Sequence, residues 1–276
     1  MIKQILVPTD GSEFATIGAQ YGIGLAKQHG ASLIGLHIVD IRMLEGPFLR
    51  DISASLGTAP YVNYQSNIAS ILDERGKATL EDFRQRCERA GVPFQSLQVT
   101  GSVMQSIVAQ SELADLIVIG RGIEQGQWME GLIGSTTENV IRHTKRPVLV
   151  TGRSEAQIRR FIVAYDGSPH ARSALQFATS LGEAWLVPFE VVTVAVDDGQ
   201  RIIDEARSYL EAHELNVDFT IQVGDPRDTL VDFARERDAD LMVMGAFGHS
   251  KVRELFLGST THYILNHAPC PLLLAR

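Results

Sequence analysis

The chain has 276 residues, 45% hydrophobic and 21% charged, a balance that excludes disordered, collagen-like and coiled-coil classes. That length exceeds what one hydrophobic core usually organises and divides into two units of about 140 residues. A net charge of -8 opposes any mode that neutralises nucleic-acid phosphates, so DNA and RNA are not expected partners.

The apolar run before Asp10 is too short for a signal-peptide core and predicts a first strand near Ile5, closed by the turn Asp10-Gly11-Ser12. A second strand is expected from near Leu33 to Asp40. The segment after it, with Gly46-Pro47 and the stretch Gly57 to Tyr64, reads as a loop or lid. Ile52 to Leu72 carries no charge, but Gly57, Pro60, Asn63, Gln65 and several serines rule out a membrane-spanning helix. A helix after Asn67 places Ile68, Ile71, Leu72, Leu80, Phe83 and Cys87 on one apolar face, which makes Cys87 a core residue. Strands near Leu97, Leu116 and Val148 complete the first half.

The pattern then repeats. Ile5-Leu6-Val7-Pro8-Thr9-Asp10-Gly11-Ser12 is echoed by Ile162-Val163-Ala164-Tyr165-Asp166-Gly167-Ser168, and Ala114 to Gly120 by Ala239 to Gly245. Gly134-Ser135-Thr136-Thr137 recurs unchanged as Gly258-Ser259-Thr260-Thr261, and each copy closes on an apolar strand behind Pro147 or Pro271. Strands of the second copy are expected near Ile162, Val191, Phe219, Leu241 and Leu272, with Thr151 to Arg160 joining the copies. The units are 1–152 and 160–276; Asp10 to Gly134 spans 124 positions and Asp166 to Gly258 spans 92, so the first carries 32 extra residues, placed at about 41–75. Short β-branched runs alternating with helical segments predict an α/β fold, two tandem five-stranded parallel sheets with helices on both faces.

Ligands of such sheets bind at the carboxyl ends of the strands. There the second copy carries Gly245-x2-Gly248-x9-Gly258-Ser259-Thr260, whose glycines permit close backbone approach and whose last helix offers unbonded N–H groups to phosphate. The plainer reading is a turn glycine followed by a Ser-Thr helix cap. His249, Lys251 and Arg253 lie inside this loop as candidate phosphate contacts. No Walker loop, nucleophile elbow, zincin helix or dinucleotide fingerprint is present, and the scattered histidines predict no protein-borne metal site. Cys87 and Cys270 form no C-x-x-C pair, consistent with a reducing cytoplasm.

With its Asp-Gly-Ser turns, its G-x2-G-x9-G-S-T loop and its repeated five-strand order, the sequence resembles the universal stress protein family in tandem form, along nearly its whole length. The resemblance implies a Rossmann-like, adenine nucleotide alpha hydrolase-like fold with strand order 3-2-1-4-5 in each copy. It implies a stress-response protein that binds ATP, with Mg2+ carried on the phosphates. Carried over residue by residue, the second-copy site is Asp166, Gly167, Ser168, Val194 or Ala195, Gly245, Gly248, Gly258, Ser259 and Thr260. The weaker first-copy site is Asp10, Gly11, Ser12, Ile38, Gly120, Gly134, Ser135 and Thr136. There the loop runs one residue longer and offers Ile123 or Glu124 in place of the second glycine; Glu124 at ~5 Å from a phosphate would oppose binding by about 3 kcal/mol.

The expectation is a cytoplasmic, nucleotide-gated binding module whose partners are an adenine nucleotide and an unidentified protein. Closing strands Pro147 to Val150 and Pro271 to Leu274 are expected to pair within the chain as an internal pseudo-dimer, and the insertion offers a surface for a homodimer. A weak ATPase, with Asp166 directing water, and a nucleotide-independent scaffold stand as alternatives.

Overall fold

The computed structural model describes residues 2–42, 61–122, 134–152, 157–246 and 257–276, with backbone alone for 61–66. The first repeat runs β1 (Gln4–Pro8), α1 (Glu13–His29), β2 (Ser32–Asp40), α2 (Tyr61–Ala90), β3 (Phe94–Gly101), α3 (Val103–Ser111), β4 (Leu116–Ile119), α4 (Ser135–His143) and β5 (Val148–Val150). The second runs β6 (Phe161–Ala164), α5 (Pro169–Trp185), β7 (Phe189–Val194), α6 (Gly199–Leu210), a short 3-10 turn (Glu211–His213), β8 (Val217–Gln222), α7 (Pro226–Glu236), β9 (Leu241–Gly245), α8 (Ser259–His267) and β10 (Leu272–Ala275).

Strands β4, β5, β6 and β10 are apolar at every position because successive side chains enter two different cores. Ile5, Val7, Leu116 and Val118 point to the face covered by α1 and α2, with Phe83 and Cys87 beneath α2. Leu6, Ile117 and Ile119 point to the face where Ile107 of α3 and Val140 of α4 pack. The second repeat continues both layers, with Val163 and Leu175 on one face and Ile162 and Ile264 on the other.

Strand order is β3-β2-β1-β4-β5-β10-β9-β6-β7-β8, so each repeat has the order 3-2-1-4-5 and the two sheets join into one of ten strands. All neighbours run parallel except β5 and β10, which meet antiparallel with Leu149 opposite Leu273. Further side-chain ties cross the junction. Arg121 donates to the Leu265 carbonyl near the end of α8, and Arg276 donates to the Arg142 and Thr144 carbonyls at the end of α4, at 3.2 and 3.0 Å. Both place a cation where a helix dipole is negative. On the other face, Trp185 Nε1 donates to His29 Nε2 at 3.1 Å.

Several elements depart from the sequence pattern. β3, β7 and β8 begin two or three residues earlier than expected, because backbone pairing extends past the apolar run; Phe94 is opposite Leu33 and Phe189 opposite Phe161. Helix α2 begins at Tyr61, so the end of the expected loop is helical. Ile71 does not join the apolar face and is 64% exposed. The buried line runs through Gly76, Leu80, Phe83 and Cys87, and one position from that line rotates a side chain by about 100°. Gly46-Pro47 and Gly57 lie outside the described residues.

Candidate functional site

Each repeat's first strand ends at the same turn, and the turn residues fix one another. Ser12 N donates to Asp10 Oδ1 at 2.9 Å, and Ser168 N to Asp166 Oδ1 at 2.9 Å. Gly11 and Gly167 between them hold φ of +79° and +74°, a left-handed conformation that a β-carbon penalises. The serines then start the helices: Ser12 Oγ accepts from Ala15 N at 3.3 Å and Ser168 Oγ from Ala171 N at 3.2 Å. Asp10 and Asp166 remain exposed, and Ser168 is buried.

Two buttresses from the second strands escaped the motif analysis. His37 Nδ1 lies 2.9 Å from the Thr9 carbonyl, which can only accept, so Nδ1 carries the proton. In the second repeat Thr193 Oγ1 donates to the Tyr165 carbonyl at 2.8 Å. Their only sequence signal is a polar residue inside an otherwise apolar strand.

Ala164 is opposite Met244, and this register brings the Asp166 turn and Gly245 together at the carboxyl edge. A β-carbon on Gly245 would lie 2.9 Å from Ala171 N and 2.9 Å from the His170 carbonyl carbon; on Gly120 it would lie 2.5 Å from the Phe14 carbonyl oxygen. These two glycines therefore let a strand end touch the first turn of α1 or α5, a packing role that their motif position did not distinguish from ligand approach.

Helices α4 and α8 are not capped by their serines. The N-cap residues are Gly134 and Gly258, neither helix has a side-chain cap, and Ser135 and Ser259 sit exposed at the first helical position. Thr136 and Thr260 follow, partly buried. One residue further, the buried Thr137 hydroxyl donates to the Gly120 carbonyl at 3.1 Å and ties α4 to β4. In the first repeat Gly134 N is already bonded to the Arg121 carbonyl at 3.1 Å. Ile123 and Glu124, and in the second repeat Gly248, His249, Lys251 and Arg253, lie outside the described residues.

Ile38, Val194 and Ala195 are half-buried at the ends of the second strands. The Ala195 amide is taken by the Gln222 carbonyl at 3.0 Å, which prolongs the β7–β8 pairing. Among the described residues no group of three His, Cys, Asp or Glu could hold a metal ion. Burial pushes the Cys87 and Cys270 thiols up to about 12, leaving neither as a nucleophile near neutral pH.

A profile of the universal stress protein family matches residues 1–152 and again 157–276. A universal stress protein of Synechocystis is 29% identical over 287 residues, covering 100% of both chains. One from Methanocaldococcus jannaschii is 32% identical over 163 residues, 56% of this chain and 98% of its own. The crystal structure of a universal stress protein from Archaeoglobus fulgidus shares the fold at a TM-score of 0.80 and 22% identity, covering 99% of this chain and 98% of that one.

Proposed function

The chain belongs to the universal stress protein family, and from that premise we propose that it is a stress-response module that binds ATP in its second repeat. One observation carries the reading: α8 opens on a glycine with no side chain capping its first turn, at the same edge of the sheet as the Asp166 turn. A helix start of this kind presents N–H groups and the positive end of a dipole to an anion.

In this assignment the amides of Gly258, Ser259 and Thr260 would hold the phosphates, and Gly248 is assigned to the same loop from its place in the sequence motif. The Asp166-Gly167-Ser168 turn borders the sugar, and the base lies against Val194 and Ala195. Gly245 acts indirectly, by letting β9 and α5 close on each other. A magnesium ion would be held through the phosphates. ATP here supplies a charged, releasable ligand; the residues bind and orient it, and no base or arginine finger is assigned to hydrolysis. No helix among the described residues is long and apolar enough to cross a membrane.

The first repeat offers the same turn and helix start through Asp10, Gly11, Ser12, Ile38, Gly120, Gly134, Ser135 and Thr136; we assign it as the weaker site on its longer loop with Glu124, and its Gly134 amide is bonded to the Arg121 carbonyl. Calorimetric titration of ATP into wild type and Gly248→Val tests the assignment. We expect one strong site per chain and at least a tenfold loss in the variant. Two equal sites, or an isotherm unchanged by the substitution, would overturn it.

A further inference from the structure

A separate recess lies on the flank of the first repeat, between α1 and α2 beside the Gly11 turn, and encloses about 320 Å3. The hydroxyl-bearing Thr9, Thr16 and Thr79 line it together with Arg75, Arg86 and Asp82. Phe83 and two alanines supply an apolar wall. Arg86 pairs with Asp82 at 2.8 Å, so those charges offset each other. Arg75 is exposed, has no ion-pair partner among the described residues, and adds a positive charge to the recess.

The second repeat provides an internal control. Thr9 and Thr16 correspond to Tyr165 and Arg172, since both pairs keep the same offset from the aspartates Asp10 and Asp166. The residue nearest the turn glycine is Thr79 in one repeat and Ile202 in the other, so three positions later Asp82 corresponds to Glu205. In the second repeat Tyr165 Oη donates to Glu205 at 2.5 Å and Arg172 Nε donates to the same carboxylate at 2.6 Å. A ring and an ion pair thus occupy the place that three small or short side chains leave open in the first repeat. The fold does not require the opening.

We propose that this recess binds a small phosphorylated polyol, its phosphate held by Arg75, its hydroxyls by the three threonines and the Arg86–Asp82 pair, and its C–H face by the Phe83 wall. The volume is at the lower end for small-molecule sites, which suits a sugar phosphate rather than a nucleotide. The recess shares Gly11 with the weaker nucleotide site of the first repeat but uses none of the residues assigned to phosphate.

The test is calorimetric titration of ribose 5-phosphate into the full chain at low ionic strength, with and without ATP. One site is expected in both conditions, with ribose and inorganic phosphate each binding at least tenfold more weakly. Arg75→Ala should weaken ribose 5-phosphate at least tenfold, and the double variant Thr16→Arg/Asp82→Glu, which imports the ion pair of the second repeat, should abolish binding. Arg75 is exposed, so its variant keeps the wild-type melting temperature and stands even if the double variant fails to fold. No binding by wild type, binding unaffected by Arg75→Ala, or inorganic phosphate binding as tightly as ribose 5-phosphate would each overturn the proposal.

Discussion

A single methyl group distinguishes two kinds of glycine in this chain. At Gly120 the added carbon would meet a carbonyl oxygen at 2.5 Å, whereas at Gly24, in the middle of α1, it would meet nothing within 4 Å. Gly120→Ala should therefore lose about 2 kcal/mol and several degrees of melting temperature. Gly24→Ala should gain about 0.5–1 kcal/mol from helix propensity. Equal melting shifts for the two would contradict the packing role. The glycine spacing was legible in the sequence, but its meaning at Gly120 and Gly245 was not, because a close neighbour of unknown identity leaves the same mark whether it is ligand or helix. The Cys87 thiol was legible: its core position implies what burial then enforces, and Cys270 is buried as well. A maleimide reagent at pH 7.5 should label neither in the native chain and both in urea, and native labelling would show that burial is incomplete.

Helix beginnings differ by what covers them. Ser168 caps α5 from a buried position, so Ser168→Ala should cost about 1 kcal/mol in urea unfolding. Ser259 caps nothing in α8, so Ser259→Ala should change stability by less than about 0.5 kcal/mol. A comparable loss at both positions would mean that the α8 hydroxyl has a structural partner. Sequence pattern predicted both serines near helix starts but could not separate cap from first helical residue, a one-residue difference in backbone geometry. It located α2 well through Leu80, Phe83 and Cys87 and misplaced Ile71, because an apolar residue one step off the stripe still fits a loose spacing rule. The strand-to-strand order was legible only through family resemblance, since periodicity assigns elements and not neighbours.

Across the whole molecule, the two repeats are held by β5 against β10 and by side-chain ties on both faces of the sheet. One of these ties titrates. His29 accepts a hydrogen bond from Trp185 through Nε2, so it must be neutral, and burial lowers its pKa from the ordinary 6.5. The unfolded chain then binds the proton more readily than the folded one, so this contribution is complete above about 6.5 and is lost as pH falls toward the folded value. The urea midpoint should fall between pH 7.5 and 5.5, and His29→Gln should flatten part of that slope; an unchanged slope would assign the acid sensitivity elsewhere. The duplication was plain from repeated residues, but the ties between halves were not, because Arg121, Arg276 and Trp185 have no counterparts in a motif. The β5–β10 seam has an evolutionary corollary. When two identical polypeptides associate through such strands, any substitution is imposed on both sides at once, and a change that benefits one spoils the other. Covalent fusion lifts that constraint, so Thr16 and Arg172 could drift apart and the ancestral twofold could yield two halves with separate duties.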